Sequence, residues 1–478
     1  MKNPSKLKVM ALVLLSVFLV FAVHAGAALA DSALGIEGPC YPVISPTASS
    51  SAMAVTWWDT VEVTAAEVRY SATINFSPAN EAEYATAVAK TTKHDVANGY
   101  KSFEALMTGL EPDTTYYYRV GSEGAWSGQA SFTTPPADPA GVNFMYLGDI
   151  QYSSYPNMKN DYQAWENLVR MARDRNPDLD FALMGGDMVD QGMSASNWQV
   201  FLQHASPIFS GLPMLAIPGN HESNSLSGKP ELFIQYLAMP ANGPGGFIEE
   251  FYSYDLGDCH IVGLSSNIFS NEQVLKGSMT ENDFGRLAQW LSDDLAASDA
   301  KWKIVVMHHP AYVVVSDAVA AGVLANWEPI FAKAQVDLAL CGHQHIYMRT
   351  KAIKGVTYVM GNSGAKHYAP ENVTYSAKMI ADTSTYQIID TNSQYLTLKT
   401  YDAAGNLLDS VQLAAKDRSV TPVWRDNDLD GDGSITEVDV ALLLNAIINC
   451  LPYDSEMDWN NDGKVDICDA QIMWRHLD

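Results

Sequence analysis

Basic residues are scarce in this chain. Its 478 residues hold 29 Lys and Arg against 55 Asp and Glu, a formal net charge of −26. No basic run offers a grip on nucleic-acid phosphates, which excludes nucleic acid as a partner. Cysteine is scarce too: Cys40, Cys259, Cys341, Cys450 and Cys468. Their spacing fits neither a disulfide framework nor a zinc finger. Cys259 and Cys341 lie in strand-like runs and read as small apolar packing groups, while a Cys450–Cys468 pair is left open. Beyond residue 23, no apolar run is long enough to span a bilayer.

The first 30 residues stand apart. Lys2, Lys6 and Lys8 lead into an apolar stretch over 9–23, and Ala28-Leu29-Ala30 precedes Asp31. This is the pattern of a secretory signal with a small-residue cleavage site. The mature protein is therefore expected to be secreted and extracellular, with no membrane segment. Removal of residues 1–30 leaves 26 Lys and Arg against 55 Asp and Glu, a net charge of −29.

The length calls for two to four domains. Residues 31–137 are expected to form an all-β sandwich, since "SAMAVTWW" and "TTYYYRVG" alternate or cluster β-formers. "LEPDTTYYYRV" resembles the tyrosine-corner strand of fibronectin type III domains. The Pro-rich stretch "TTPPADPAG" closes this segment. Residues 138–412 read as an α/β layered domain. "VNFMYLGD", "LDFALMGGD", "LPMLAIPGNH", "WKIVVMHHP" and "VDLALCGHQH" are short buried-strand runs that end abruptly in polar residues. Helical patterns lie between them; over 280–295, Thr280 is placed to cap and Phe284, Leu287, Leu291 and Leu295 share a face. A linker over 413–424 leads to a small all-α, EF-hand-like module over 425–478.

Chemistry-bearing side chains gather at those strand ends: Asp149, Asp187 and Asp190, Asn220 and His221, His308 and His309, His343 and His345. In layered α/β sheets the ligand site lies beyond the carboxyl ends of the strands. Carboxylate, imidazole and amide together are the donors that two transition metals need.

The order GD, GDxxD, GNHE, MHxP, GHxH resembles the calcineurin-like metallophosphoesterases. The preceding sandwich, "YSYDLGDCHIVGL" and "GHQHIYMR", resembles the purple acid phosphatase branch. The resemblance implies that Asp149 and His345 hold one metal, that Asn220, His308 and His343 hold the other, and that Asp187 bridges them. Fe, Mn and Zn are the candidate metals. It implies a secreted acid phosphatase-like enzyme that hydrolyses phosphate monoesters by in-line attack of a metal-bridging hydroxide. His221 would be catalytic, giving a proton to the leaving group, with Asp190 orienting its ring. Three positions depart from the pattern. Asp190 stands where the purple enzymes have a metal-binding tyrosine, so the purple colour is not expected. Gln151 replaces the histidine of a DxH motif, and Gln151 or Asp190 is a candidate to fill in at the first metal. The stretch "YVVVSDAVAAG" lacks the histidines that line the family's substrate site, which leaves His309 and His367 as candidates for substrate or metal contact.

The C-terminal segment repeats itself. Asp428-Leu-Asp430-Gly-Asp432-Gly433 runs to Asp439, and Asp458-Trp-Asn460-Asn-Asp462-Gly463 runs to Asp469. Oxygen donors at positions 1, 3, 5 and 12 with Gly at 6 match a calcium loop. Two such loops, each followed by an apolar helical run, resemble a type I dockerin. That implies two bound Ca2+ and docking to a cohesin module of a scaffold protein, with Glu437, Val438, Ile467 and Cys468 as the contacting positions. Alternatives are a phosphodiesterase on the same core, or a catalytically lapsed binding component of a cellulosome-like complex.

Overall fold

The computed structural model describes residues 34–77, 80–151, 158–224, 227–270, 277, 279–371, 373–419, 428–430, 434–448, 457 and 464–475. The signal segment and most of the 413–424 linker's second half lie outside these residues. Among the described residues, no helix is long and apolar enough to cross a membrane.

The N-terminal segment folds as two sheets. One runs Cys40–Pro46, Ala52–Thr60, Tyr100–Thr108, Lys90–Asp95; the other is built around Glu67–Ser71 and Thr115–Ser122. The two-residue period of the strands sorts their side chains by face. Met53, Val55, Trp57, Phe103, Ala105 and Met107 meet Val68, Tyr118, Val120 and Phe132 in one core. The hydroxyl of Tyr116 accepts the Glu111 N–H at 2.9 Å, which is the tyrosine-corner bond. Trp58 and Tyr100 point the other way. Their rings stack at 4.2 Å, Trp58 packs edge-on to Tyr236 at 4.9 Å, and the Tyr100 and Tyr236 hydroxyls share a hydrogen bond. These aromatics dock the sandwich onto the next domain.

That domain has two sheets, one of six strands and one of seven. In the first, Asn143–Leu147, Phe181–Met184 and Met214–Ala216 are parallel neighbours. In the second, Cys259–Leu264, Trp302–Met307, Leu338–Cys341 and Val356–Met360 are parallel. Ile304 and Val306 join the core shared with the first sheet, whereas Val305 and Met307 join a second core with Leu287, Leu291 and Leu295 of helix Glu281–Ala297. Strands buried on both faces explain the continuous apolar runs of the sequence. Thr280 stands at the N-cap as expected, and the Asp283 side chain reaches back to it: the Thr280 N–H and hydroxyl both donate to Asp283 Oδ2 at 2.8 Å. Cys259 and Cys341 are buried in their strands; Cys450 lies outside the described residues.

The parallel strands end where the polar motifs begin, and the turns there are strained. Asp149, Asp187, His343 and His345 have left-handed backbones, with φ of 31°, 53°, 73° and 48°. Such a conformation costs roughly 1–3 kcal/mol per non-glycine residue and persists only where neighbours over-determine it. Here Ile150 and Gln151 both donate their N–H to the Asp187 carbonyl, at 3.1 and 2.7 Å, and Gly364 N–H reaches the Asp149 carbonyl at 2.7 Å. Gly219 permits the closest approach, since a Cβ there would lie 2.1 Å from Asp187 Oδ1.

The fully buried carboxylate of Glu222 ties two of these turns together. Its Oε2 accepts the N–H groups of Asp187 and Gly219 at 2.8 and 2.7 Å, and its Oε1 accepts those of Met188 and Val189 at 2.8 and 3.1 Å. Burial, with the Asp187 charge beside it, pushes Glu222 up to about 7; the N–H groups of Val189 and Gly219 oppose that rise. A glutamine in its place brings one acceptor oxygen and sets an amide N–H against two backbone donors. Unmet buried donors cost roughly 1–3 kcal/mol each. Glu222→Gln should therefore lower the midpoint of thermal unfolding well below that of the wild type. An unchanged midpoint would show that the clamp does not hold these turns.

Candidate metal centre

The strand ends bring six candidate ligands into one place. His308 Nε2 lies 3.2 Å from Asp187 Oδ2 and 3.1 Å from Asn220 Oδ1. His343 Nδ1 lies 3.0 Å from Asn220 Oδ1 and 3.3 Å from His308 Nε2. Four donor atoms of three residue types thus face one another at short range. A cation with bonds of about 2.1 Å has ligand–ligand edges of about 3.0 to 3.4 Å, so the spacing fits one metal ion. The other ring nitrogen of His308 donates to the Gly185 carbonyl at 2.9 Å, which leaves Nε2 as the lone-pair side.

Asp149, Gln151 and His345 gather at Asp187 too, and the ligand atoms of Asp149, Asp187 and His308 lie within 4.8 Å of one another. Gln151 Nε2 is 3.0 Å from Asp187 Oδ2 and 3.0 Å from His345 Nε2. Asp149 Oδ1 accepts the His343 N–H at 2.8 Å. Asp149 Oδ2, Gln151 Oε1 and His345 Nδ1 are buried with no hydrogen-bond partner among the described residues. Buried acceptors are rarely left unmet, and a cation satisfies them. Rotation of the Gln151 amide by a half-turn exchanges its nitrogen for the unmet oxygen. Asp187 Oδ2 is common to both groups.

The charges fit the same picture. Burial works against ionisation of Asp187, yet His308 and then His221 hold its carboxyl well below the usual range. Burial likewise opposes protonation of His308, but contact with Asp187 pushes its pKa up to about 10. Burial pushes Asp149 up to about 7, with His308 opposing and Asp187 adding. Asp149 and His308 are thus shifted toward their protonated forms, with which a bound cation would compete.

The candidates from the sequence are placed as follows. His221 is a quarter exposed, and its Nε2 is 4.0 Å from Asp187 Oδ2. Its Nδ1 donates to Asp190 at 2.7 Å, but to the main-chain carbonyl; the nearer carboxylate oxygen is 3.6 Å away. The orienting contact expected from the Asp190 side chain is thus made at closest range by its backbone, because the turn presents that carbonyl to the ring. His309 is buried against His343, ring centroids 4.3 Å apart, with its Nδ1 2.8 Å from Ser266 Oγ. In the 366–368 stretch, Tyr368 makes the contact with the site: its ring centroid is 4.9 Å from that of His345, and Lys366 Nζ lies 5.2 Å from the Tyr368 ring. His367 is half-buried, and its Nε2 has no partner among the described residues.

Sequence reasoning missed Glu222, Asp317, Lys366 and Tyr368. Glu222 stands within the GNHE motif, and Asp317 directly precedes the Ala-rich run 318–326. Both signals are present in the sequence.

Near the C-terminus, the carboxylates of Asp428, Asp430 and Asp439 converge, with ligand atoms within 4.8 Å of one another and all three residues buried. The two repeats agree where both are described. Thr436 N–H donates to Asp439 Oδ2 at 2.7 Å, and Asp466 N–H donates to Asp469 Oδ2 at 2.7 Å. Each bond joins position 9 of a loop to position 12. Asp432, Asp458, Asn460 and Asp462 lie outside the described residues. Helices Glu437–Ile448 and Ile467–Trp474 follow the loops. Glu437, Ile467 and Cys468 are exposed, but Val438 is buried in the cluster that includes Leu429, Leu443 and Met473. Its side chain is therefore packing material here, contrary to the contacting role expected for it.

Residues 142–347 match the calcineurin-like phosphoesterase family, 39–134 the N-terminal domain of purple acid phosphatases, and 426–478 the dockerin type I domain. The chain is 27% identical over 263 residues to purple acid phosphatase 18 of Arabidopsis thaliana, covering 53% of this chain and 54% of that protein. It is 28% identical over 264 residues to acid phosphatase type 7 of Mus musculus, covering 50% and 55%. The chain thus spans about half the length of these curated relatives. A purple acid phosphatase from yellow lupin (Lupinus luteus) seeds superposes with a TM-score of 0.62 at 19% identity, covering 80% of this chain and 75% of that one. At that identity the likeness establishes the fold: an N-terminal sheet domain followed by a metallophosphoesterase core. The chain thus carries a calcineurin-like phosphoesterase domain in a purple acid phosphatase-like arrangement, followed by a match to the dockerin type I domain at its C-terminal end.

Proposed function

We propose that this chain hydrolyses phosphate monoesters outside the cell at a paired metal centre, and that its C-terminal domain tethers it through calcium to a cohesin of a scaffold protein. The convergence of Asp187, Asn220, His308 and His343 donor atoms at 3.0–3.3 Å, with unmet acceptors on Asp149 and Gln151 near Asp187, carries the reading. Asn220, His308 and His343 would hold one cation, Asp149 and His345 the other, with Gln151 beside it and Asp187 between the two. When bound, such a pair activates water and neutralises charge on the phosphoryl oxygens.

The chain's own residues do the rest. Asn220 contributes a neutral oxygen donor, which keeps the site from accumulating more negative charge against a phosphate dianion. The Asp190 carbonyl holds His221 by Nδ1 and so leaves Nε2, on the partly exposed side, to give a proton to the departing alkoxide. Lys366 brings positive charge to the edge of the site beside Tyr368, where a phosphate monoester arrives. The lack of a tyrosine at position 190 supports an enzyme without the intense colour of its relatives' class.

Asp187→Asn should abolish hydrolysis of an aryl phosphate monoester and lower the bound metal count, because an amide cannot neutralise two cations. His221→Ala should keep its metal and lose about 10²–10⁴-fold in turnover. A wild-type chain that prefers an aryl phosphate diester would replace the monoesterase reading with a diesterase, and metal loss in His221→Ala would make that residue a ligand.

The tether rests on the buried, converging carboxylates of Asp428, Asp430 and Asp439, which repel one another without a cation. Burial already pushes Asp439 above its ordinary pKa. Stripping calcium from the full chain with a selective chelator should abolish pull-down on a cohesin panel while aryl phosphate hydrolysis persists. Cohesin capture that survives the chelator would overturn the tether.

A further inference from the structure

Asp317 lies at the start of helix Ala318–Asn326, in the stretch that lacks the family's substrate-site histidines. Its carboxylate faces two ways. Oδ1 accepts the N–H groups of Val319 and Ala320 at 2.7 and 3.5 Å, capping the helix. Oδ2 lies 2.6 Å from Nε2 of His343, whose Nδ1 faces Asn220 and His308. Asp317 is only 12% exposed, while the His343 side chain keeps 25% exposure and so has room to turn.

The loop that carries Asp317 is fastened to the GHQH turn. Gln344, the residue between the two histidines, accepts the Val314 and Val315 N–H groups at 2.7 and 3.1 Å through Oε1, and its Nε2 donates to the Val315 carbonyl at 2.5 Å. The Tyr375 hydroxyl donates to the Val313 carbonyl. The loop therefore moves with the turn, and Asp317 stays against the ring it meets.

We propose that Asp317 is a positioning residue for the metal centre: it holds His343 by Nε2 so that Nδ1 presents its lone pair to the cation shared with Asn220 and His308. A ligating imidazole whose other nitrogen is bonded to a carboxylate is fixed in tautomer and rotation and made more basic. His308 is held in the same sense by the Gly185 carbonyl. Both imidazoles of this half of the site thus have their non-ligating nitrogens set against an oxygen: His308 is hydrogen-bonded to the Gly185 carbonyl, and His343 lies at ion-pair distance from the Asp317 carboxylate. The inference rests on the paired-metal reading above.

Asn caps helices as well as Asp does, so Asp317→Asn separates the two jobs. The metal-stripped full chain is titrated with Zn2+ against a chromophoric chelator. In Asp317→Asn, one of the two Zn2+ affinities should fall about 10–100-fold, with the other and the metal-free unfolding midpoint unchanged. Asp317→Ala should lower both that affinity and the midpoint. Added to His343→Ala, Asp317→Asn should cause no further loss of affinity, since the partner is gone. Wild-type affinity at both sites in Asp317→Asn, or a metal-free midpoint that falls as far as in Asp317→Ala, would reduce Asp317 to a helix cap. A wild-type chain that takes up no Zn2+ would instead refute the paired-metal reading, and this inference with it.

Discussion

Asp187 carries a buried negative charge. A buried carboxylate without compensation is among the costliest features a fold can hold. The compensation comes from every side: His308 and Gln151 at Oδ2, the His221 N–H at Oδ1, 2.9 Å away, and His221 Nε2 beyond. The strained turns, the glycine whose missing Cβ leaves room for Asp187 and the Glu222 clamp all serve to keep that carboxylate where two groups of candidate ligands can share it. In the absence of cations, the neighbouring His308 ring favours the charged form of Asp187 and Asp187 favours that of His308.

The rest of the architecture follows from where this charge must sit. Parallel strands from two sheets end together, so donors distant in the sequence meet without long side chains. The apolar runs on both sides of each strand leave the strand ends as the place where polar residues can gather. The sandwich docks through Trp58 and Tyr100, on the outer face of its own sheet, against Tyr236 of the next domain.

The gathering of these candidate ligands was legible in the sequence because an apolar strand that stops abruptly at Asp, Asn or His sets those groups at its carboxyl end, where layered sheets bind their ligands. The tyrosine corner and the Thr280 cap were legible because each is a local bond between residues a few positions apart. Glu222 was not legible in its role, since its partners are four backbone N–H groups that no side chain spells out. The place of Asp317 before an Ala-rich run marks it as a cap, but its contact with His343 depends on how two loops fold together. Val438, expected as a contacting position, is buried, because the repeat pattern gives a loop position and not the packing around it. The two-way Asp190–His221 contact shows the same limit, with a carbonyl in the part expected of a carboxylate.

The central claim is that Asp187 lies between two cations. Anomalous scattering from crystals grown with Zn2+ tests it most directly. Two peaks about 3.5–4 Å apart are expected, one beside Asn220, His308 and His343, the other beside Asp149 and His345, with the Asp187 carboxylate shared between them. A single peak, or a pair that leaves Asp187 unshared, would contradict it.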